Sequence, residues 1–216
     1  MSDPETPPVF DAAFRDRLHD LFRWRRDVRR FHADALPEGL IEHLISQAAL
    51  APSVGNSQPW RFVVVEDTAR RLAVRDDFEA ANRDALQGYS GDRAKTYAGL
   101  KLAGLDAAPV QLAVYADMET ERGHGLGQNT MPEMLPYSVV AAVNTFWLAA
   151  RAAGVGVGWV SIIHPARIAG ILDVPAYWRL VAYLCVGYPE EEHVDPELVR
   201  AGWQDREDVI EFILKR

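Results

Sequence analysis

The residues best suited to chemistry lie in one arginine-rich stretch near the N-terminus. Residues 23–30 hold five arginines in eight positions, although the whole chain has a formal net charge of −8. Planar guanidinium groups donate paired hydrogen bonds that match a phosphate, so the cluster indicates an anionic ligand. The alternative is a solvated helix end, where cations meet the negative end of the helix dipole. The cluster taken alone favours this alternative.

Asp27 and Ser161 are the two candidates for catalysis. A carboxylate among arginines is most often a salt-bridge partner, but an aspartate held in a ligand pocket can also transfer protons. Ser161 lies in the apolar run of residues 158–163, which predicts a strand. A hydroxyl in such a strand needs a hydrogen-bond partner, and a backbone carbonyl satisfies it as well as a ligand would.

A polar loop at residues 52–59 is the third candidate feature. Its sequence, Pro-Ser-Val-Gly-Asn-Ser-Gln-Pro, places hydroxyls and amides between two apolar segments. Such groups can hydrogen-bond a polar heteroaromatic ring and a sugar-like chain. The same residue types are common in any turn, and on composition alone the turn is the favoured interpretation.

Several chemistries are disfavoured because their motifs are missing. The histidines are scattered, and no His-Glu-x-x-His or Cys-x-x-Cys occurs, so no metal site is predicted. Neither Gly-x-Ser-x-Gly nor a phosphate loop is present, which argues against acyl transfer and nucleoside triphosphate hydrolysis. The glycine string at residues 154–158 lacks the spacing of a dinucleotide-binding loop. The acidic balance argues against nucleic acid as a partner.

Hydrophobic periodicity predicts the elements that must position these residues. Helices are predicted near residues 11–23, 37–50, 68–86, 93–105, 134–153 and 165–172, and strands near 60–66, 110–115, 155–163 and 180–186. Because helices and strands do not alternate strictly, an α+β fold is favoured over a doubly wound sheet. The helix at 134–153 is apolar on nearly every face, which predicts burial all round, at a domain centre or in a subunit interface.

Length and composition predict the overall organisation. The 216 residues are interpreted as a flexible leader at 1–10, a main domain at 11–195 and a C-terminal arm at 196–216. The single cysteine, Cys185, lies in an apolar run, which is typical of a buried thiol in a reducing compartment. With neither a signal peptide nor a clean apolar span of about 20 residues, we expect a cytoplasmic protein without a membrane partner.

Three segments together resemble a known family, the flavin-binding nitroreductase superfamily. They are residues 25–31, 51–60 and 154–161, and they resemble most closely its 5,6-dimethylbenzimidazole synthase branch. Ordinary nitroreductases typically carry Ser or Thr after the Arg-Arg pair, whereas the synthase branch carries Asp, as Asp27 does here. Ser161 matches the branch's characteristic serine, and the resemblance extends over about residues 14–205.

This resemblance implies a fold and an activity. The fold would be a nitroreductase-like mixed sheet flanked by helices, in a homodimer whose active sites lie at the subunit interface. The activity would be fragmentation of reduced FMN by dioxygen to 5,6-dimethylbenzimidazole, the lower ligand of cobalamin, with a separate flavin reductase supplying the reduced FMN. Two alternatives stay open: an NAD(P)H-dependent FMN nitroreductase, and a non-catalytic flavin-binding protein.

The resemblance also assigns roles to individual residues. Asp27 and Ser161 would serve the chemistry, since proton transfers need a positioned carboxylate and a hydroxyl can hold a flavin nitrogen. The residues implied to bind the cofactor are Arg25, Arg26, Arg29, Ser53, Asn56, Leu102 and Arg206. Arg206 lies in the C-terminal arm, where the sequence departs from the family pattern.

Overall fold

A four-stranded sheet forms the centre of the computed structural model, which describes residues 6–100 and 104–216. The strands are β1 (Trp60–Val64), β2 (Val110–Asp117), β3 (Gly156–Val160) and β4 (Trp178–Gly187), in the order β1-β2-β4-β3. All three strand pairings are antiparallel, so the prediction of a mixed sheet is wrong for these four strands. Among the described residues, the only parallel pairing is an isolated bridge between Asp27 and Val157.

Eight α-helices occur in the described part of the chain. They are α1 (Ala12–Trp24), α2 (Leu40–Ala48), α3 (Thr68–Leu86), α4 (Gly91–Gly99), α5 (Gly104–Ala107), α6 (Met134–Ala152), α7 (Pro165–Leu172) and α8 (Glu197–Arg200). The helix predicted at 93–105 corresponds to α4 and α5, and residues 101–103 between them lie outside the described residues. α3 begins where its cap predicts, because the Asp67 side chain accepts the Arg70 amide at 2.8 Å.

The two faces of the sheet carry two separate hydrophobic cores. Leu112, Val114 and Ala116 of β2 face α2 and α6, whereas Ala113 and Tyr115 face α3, α5 and α7. This follows from the two-residue side-chain period of a strand. Helices therefore cover both faces of an antiparallel sheet, which confirms the predicted α+β class.

Helix α6 is buried on one side only. Its buried face includes Phe146 and Trp147, but Tyr137 is 53% exposed and Val140 is 41% exposed. Asn144 is exposed on the same side, at the three- and four-residue spacing that aligns side chains along a helix. The prediction of burial all round is therefore wrong for the single chain, because the sheet and α2 cover only one side of the helix.

The C-terminal region after β4 has little regular structure. Beyond α8, a single 3₁₀ turn spans Val209–Phe212. The apolar side chains of residues 209–214 are 60–71% exposed in this chain. Within residues 6–100 and 104–216, no helix has both the length and the apolar character needed to span a bilayer.

Candidate active site

The arginine segment, residues 25–29, lies along the outer edge of β3. The Val28 amide donates to the Val157 carbonyl at 3.0 Å, which fixes the backbone of the segment against the strand. The approach is so close that a Cβ on Gly156 would lie 2.8 Å from the Val28 side chain, and a Cβ on Gly158 would overlap the Val28 carbonyl oxygen. The glycine string therefore admits a neighbouring backbone, which is a structural role unrelated to dinucleotides.

Asp27 is held at this edge by backbone and side-chain contacts. Its Oδ1 accepts the Trp159 amide at 2.8 Å, and its Oδ2 lies 3.5 Å from Arg29 Nε. Burial raises the pKa of Asp27, and the Trp159 amide and Arg29 only partly oppose this effect. The side chain is nevertheless 37% exposed, so its carboxylate remains accessible. A fixed, accessible carboxylate with a raised pKa is suited to proton transfer.

Arg25, Arg26 and Arg206 form a positive cluster beside Asp27. Burial lowers the pKa of Arg25, Asp27 opposes this, and the positive charge of Arg206 lowers the pKa further. Arg206 also lowers the pKa of Arg26, after burial and the charge of Arg25. The fold thus brings the C-terminal arm close to the arginine segment. Within the described residues, neither Arg25 nor Arg206 has a carboxylate within 4.0 Å, so the cluster can accept a phosphate.

The arginines of this cluster have different contacts. The Arg25 guanidinium lies 4.8 Å from the centre of the Trp147 ring, a distance at which a cation is attracted to an aromatic face. Arg26 instead donates from Nε to the Val194 carbonyl at 2.7 Å and from Nη1 to the Arg25 carbonyl at 2.9 Å. Arg26 therefore also holds the chain after β4 against the arginine segment.

Arg29 points toward carboxylates of this chain. Its side chain is 11% exposed, and its Nε lies 3.5 Å from Asp27 and 3.8 Å from Glu197 Oε2. Sequence reasoning missed Glu197, because nothing in its local sequence relates it to a segment near the N-terminus. The predicted contact between Arg29 and a cofactor stays a prediction.

Ser161 lies just outside the strand in which it was predicted. β3 ends at Val160, and Ser161 is exposed, so the prediction that the strand extends through Ser161 to residue 163 is wrong. The contacts of β3 with the arginine segment end at Trp159, whose amide binds Asp27. The strand ends one residue later, and the chain leads into α7. Among the described residues, no group hydrogen-bonds the Ser161 hydroxyl. It is therefore available to a ligand, two residues beyond the amide that holds Asp27.

A buried aspartate fixes the loop that follows Ser161. Asp77 is 2% exposed, and its carboxylate accepts the His164 amide at 2.8 Å. It also lies 3.0 Å from the His164 ring Nδ1 and 3.2 Å from Arg167 Nη1. Sequence reasoning did not single out this cluster. A signal was present, because Asp77 is three residues after Val74 and therefore lies on the apolar side of its helix.

The polar loop lies at the other end of α6. The Val54 amide donates to Ser138 Oγ at 3.0 Å, near the start of that helix. Ser53 Oγ accepts the Gln58 amide at 3.0 Å, and Asn56 accepts the Gln58 side chain at 3.3 Å. These contacts agree with turn chemistry and do not test a role in binding.

Within one chain, the polar loop and the arginine segment contact different parts of α6. Trp147 Nε1 donates to the Arg26 carbonyl at 3.3 Å, whereas the polar loop contacts Ser138. Nine residues of helix separate these contacts, which corresponds to about 13 Å along the axis. The fold therefore brings Arg25, Arg26, Asp27, Arg29, Ser161 and Arg206 into one region, and it leaves Ser53 and Asn56 apart from them. Leu102 lies outside the described residues.

The sequence profile of the nitroreductase family matches residues 22–188. That match covers most of the chain, from the end of α1 to the residue after β4. The chain belongs to the nitroreductase family. The predicted resemblance to this family is confirmed.

Curated nitroreductase relatives include enzymes of the predicted branch. A 5,6-dimethylbenzimidazole synthase from Rhodospirillum rubrum is 57% identical, covering 93% of this chain and 95% of the relative. A 5,6-dimethylbenzimidazole synthase from Rhodobacter capsulatus is 45% identical, covering 91% of this chain and 95% of the relative. This chain is therefore similar over nearly its full length to synthases, as well as to the wider nitroreductase family.

A solved structure of a flavin-bound enzyme agrees with this fold. Oxidised iodotyrosine deiodinase bound to FMN and 3-iodo-L-tyrosine superposes with a TM-score of 0.69 and 26% identity, covering 82% of this chain and 91% of that one. In the described ranges of this chain, no group of three or more His, Cys, Asp or Glu side chains is placed to hold a metal ion.

Proposed function

We propose that this nitroreductase-family protein fragments reduced FMN, with dioxygen as co-substrate, to 5,6-dimethylbenzimidazole. The observation that carries the proposal is the placement of Asp27. A carboxylate stands where ordinary nitroreductases have a hydroxyl, and it is held at the β3 edge by the Trp159 amide. The named synthases from Rhodospirillum rubrum and Rhodobacter capsulatus, at 57% and 45% identity, support the same activity.

The positive cluster suits the phosphate of FMN. Arg25 and Arg206 are brought together without a carboxylate partner in the described residues, in a chain of net charge −8. An anion placed there relieves the mutual repulsion of the guanidinium groups and accepts charge-assisted hydrogen bonds. Arg26 donates a hydrogen bond to the Val194 carbonyl, which fixes the arginine segment against the chain after β4.

Asp27 and Ser161 carry the proposed chemistry. Reduced FMN, when bound, supplies the electrons for dioxygen and the carbon skeleton of the product. Asp27 holds or moves a proton at its carboxylate, because its raised pKa brings it closer to the pH of the cell than an exposed aspartate. The Ser161 hydroxyl donates a hydrogen bond to a flavin nitrogen.

We propose further that the active protein is a homodimer with its sites at the subunit interface. The polar loop and the arginine segment are separated along α6 in one chain. A second copy is therefore needed to place the polar loop of one chain beside the arginine segment of the other. The exposed apolar side of α6, with Tyr137 and Val140, supplies a surface for that copy.

The proposed reaction consumes its flavin, so each turnover needs a new molecule of reduced FMN. We propose that a separate flavin reductase supplies it. We also propose a cytoplasmic location, which the buried free thiol of Cys185 supports because reduced cysteines are typical of that compartment.

One experiment separates the candidate activities. The purified protein receives photochemically reduced FMN, is exposed to air, and is assayed for 5,6-dimethylbenzimidazole by chromatography and mass spectrometry. We expect the product, with loss of an equivalent amount of FMN. NADH oxidation with a nitroaromatic acceptor and no dimethylbenzimidazole would identify a nitroreductase instead. Binding of FMN with neither reaction would identify a flavin-binding protein.

A further inference from the structure

Glu197, the first residue of α8, lies between two arginines of the site. Its Oε2 is 3.8 Å from Arg29 Nε, and its Oε1 is 3.8 Å from Arg30 Nη1. The Glu197 side chain is only 18% exposed. This carboxylate therefore reaches from the C-terminal arm to the guanidinium that faces Asp27.

The Arg29 Nε–H group lies between two carboxylates and forms a hydrogen bond with neither. It is buried and has no hydrogen-bond partner in the described residues, since Asp27 and Glu197 lie 3.5 and 3.8 Å away. A buried donor without a partner is unfavourable, and charged donors especially so. If one carboxylate lost its charge, Arg29 would be expected to close on the other.

We propose that Glu197 is a positioning residue for the reaction, which holds Arg29 between two carboxylates and so prevents it from forming a closed ion pair with Asp27. This inference rests on the proposed function, in which Asp27 is the group that transfers protons. A closed ion pair would fix the Asp27 carboxylate in its charged form and turn its Oδ2 away from a ligand.

The charges around Asp27 determine the direction of the expected effect. Among the described residues, the groups whose charges act on Asp27 are Arg25 and Arg29 on its own segment, Glu197 on α8 and Cys185 on β4. The small pocket that Asp27 lines also contains Arg26, Arg30, Glu191, His193, Asp195 and Arg200. Burial and the charge of Asp27 hold the pKa of Cys185 at about 12, so that thiol stays neutral. Glu197 raises the pKa of Asp27, whereas Arg29 lowers it. Removal of the Glu197 charge therefore lowers the pKa of Asp27 twice, directly and by releasing Arg29.

The first test is the pH profile of kcat in Glu197→Gln. This variant keeps the shape of the side chain and removes its charge. One limb of this profile reports the ionisation of Asp27, and we expect the apparent pKa of that limb to fall by about one pH unit. The affinity for FMN should change less than twofold. The matched control is Glu79→Gln, which removes a carboxylate that is paired with Arg75 on α3. A limb that stays at the wild-type pH in Glu197→Gln, or moves equally in the control, overturns the proposal.

Two further variants keep the test decisive. Glu197→Asp retains the charge, so it should place the limb near the wild-type pH. Arg30→Gln removes one of the two arginines beside Glu197, so Glu197 should attract Arg29 more strongly and draw it away from Asp27. The apparent pKa of the Asp27 limb should then rise. An acidic or absent shift in Arg30→Gln contradicts the proposal even if Glu197→Gln does not fold.

A measurement without catalysis separates this inference from the proposed function. The pKa of the Asp27 carboxyl is measured by carbon NMR on flavin-free protein labelled at aspartate, with the resonance assigned from its loss in Asp27→Asn. We expect a lower pKa in Glu197→Gln than in wild type, whether or not the protein makes dimethylbenzimidazole. An unchanged pKa would overturn the role of Glu197 and leave the proposed activity standing.

Discussion

At the scale of single residues, Asp27 combines two properties that were alternatives in the sequence. It contacts Arg29, as a salt-bridge residue would, yet it is also partly exposed and its pKa is raised by burial. The two interpretations are compatible, because burial outweighs the 3.5 Å contact with Arg29 and raises the pKa of the carboxyl above its usual value. Its local environment therefore favours a group that exchanges protons.

Asp27→Asn should separate binding from chemistry. The amide keeps the shape of the side chain and removes the basic oxygen, so we expect FMN affinity to change little while the yield of dimethylbenzimidazole falls by about 10²- to 10⁴-fold. Flavin fluorescence titration and product assay on the same preparation provide both values. A normal yield would exclude a catalytic role, and a parallel loss of FMN affinity would indicate that Asp27 mainly orders the arginines.

The raised pKa of Asp27 also predicts a pH-dependent stability. Because the folded chain binds the proton more tightly than the unfolded chain, the contribution of Asp27 to stability is present at low pH and is lost as the pH rises through its folded pKa. We expect the melting temperature of Asp27→Asn to rise relative to that of wild type as the pH increases above about 4, the usual pKa of an aspartate. Parallel curves for the two proteins, measured by circular dichroism, would contradict the raised pKa.

Arg25 and Arg26 should respond differently to truncation. Arg25→Ala should weaken FMN by about 2 kcal/mol, or roughly 30-fold, through lost charge-assisted hydrogen bonds. Arg26→Ala should in addition lower the melting temperature, because Arg26 bonds the Val194 carbonyl. Isothermal titration with FMN and with riboflavin checks the assignment. If wild type binds riboflavin as tightly as FMN, the cluster does not bind the phosphate.

At the scale of elements, the edge of β3 positions the site. The strand offers the Val157 carbonyl to Val28 and the Trp159 amide to Asp27, so two neighbouring peptide groups of β3 fix a segment that has no helix or strand of its own. The glycines of β3 make this contact possible by removing the side chains that would separate the two backbones. On the far side, Asp77 ties α3 to the start of α7 and fixes the loop after Ser161.

Gly158→Ala tests this arrangement. The added methyl would overlap the Val28 carbonyl oxygen, so the arginine segment must shift away from the strand. We expect a loss of stability of about 1–3 kcal/mol, as for other overpacked sites, and a larger loss of FMN binding. Gly170→Ala is the control, because its Cβ would meet no atom within 4 Å. Wild-type FMN binding by Gly158→Ala would show that the close approach is dispensable.

At the scale of the whole molecule, one chain holds the predicted site residues in two separate regions. The arginine segment and the polar loop contact α6 about 13 Å apart. Apolar side chains are exposed on one side of α6 and along the C-terminal arm, and contiguous exposed apolar surface is typical of interaction sites. Both features support the proposed homodimer.

Val140→Glu tests the dimer directly. A charge on the 41% exposed Val140 of α6 should disrupt an interface there and leave a monomer that binds FMN weakly. Leu72→Glu is the control, because Leu72 is similarly apolar and 50% exposed but lies on α3, on the opposite face of the sheet. Analytical ultracentrifugation with FMN titration gives both values. A stable wild-type monomer that retains activity at micromolar concentration would contradict the proposed dimer.

The sequence by itself determined the elements and the family. Periodicity located the β-strands and most helices, because local side-chain spacing decides which face of an element is apolar. The segments that bear the arginines, the polar loop and the glycine string identified the family, since their backbone and charge requirements are local. Asp27 indicated the branch for the same reason.

The tertiary structure alone decided which of these residues meet. The bridge between Asp27 and Val157, the approach of Arg206 to Arg25 and the position of Glu197 beside Arg29 join residues that are distant in the chain. No local pattern encodes such contacts, because they depend on how the strands pair and where the arm returns. The end of β3 before Ser161 and the uncovered side of α6 were also mispredicted, since periodicity reports an apolar side chain but not what covers it.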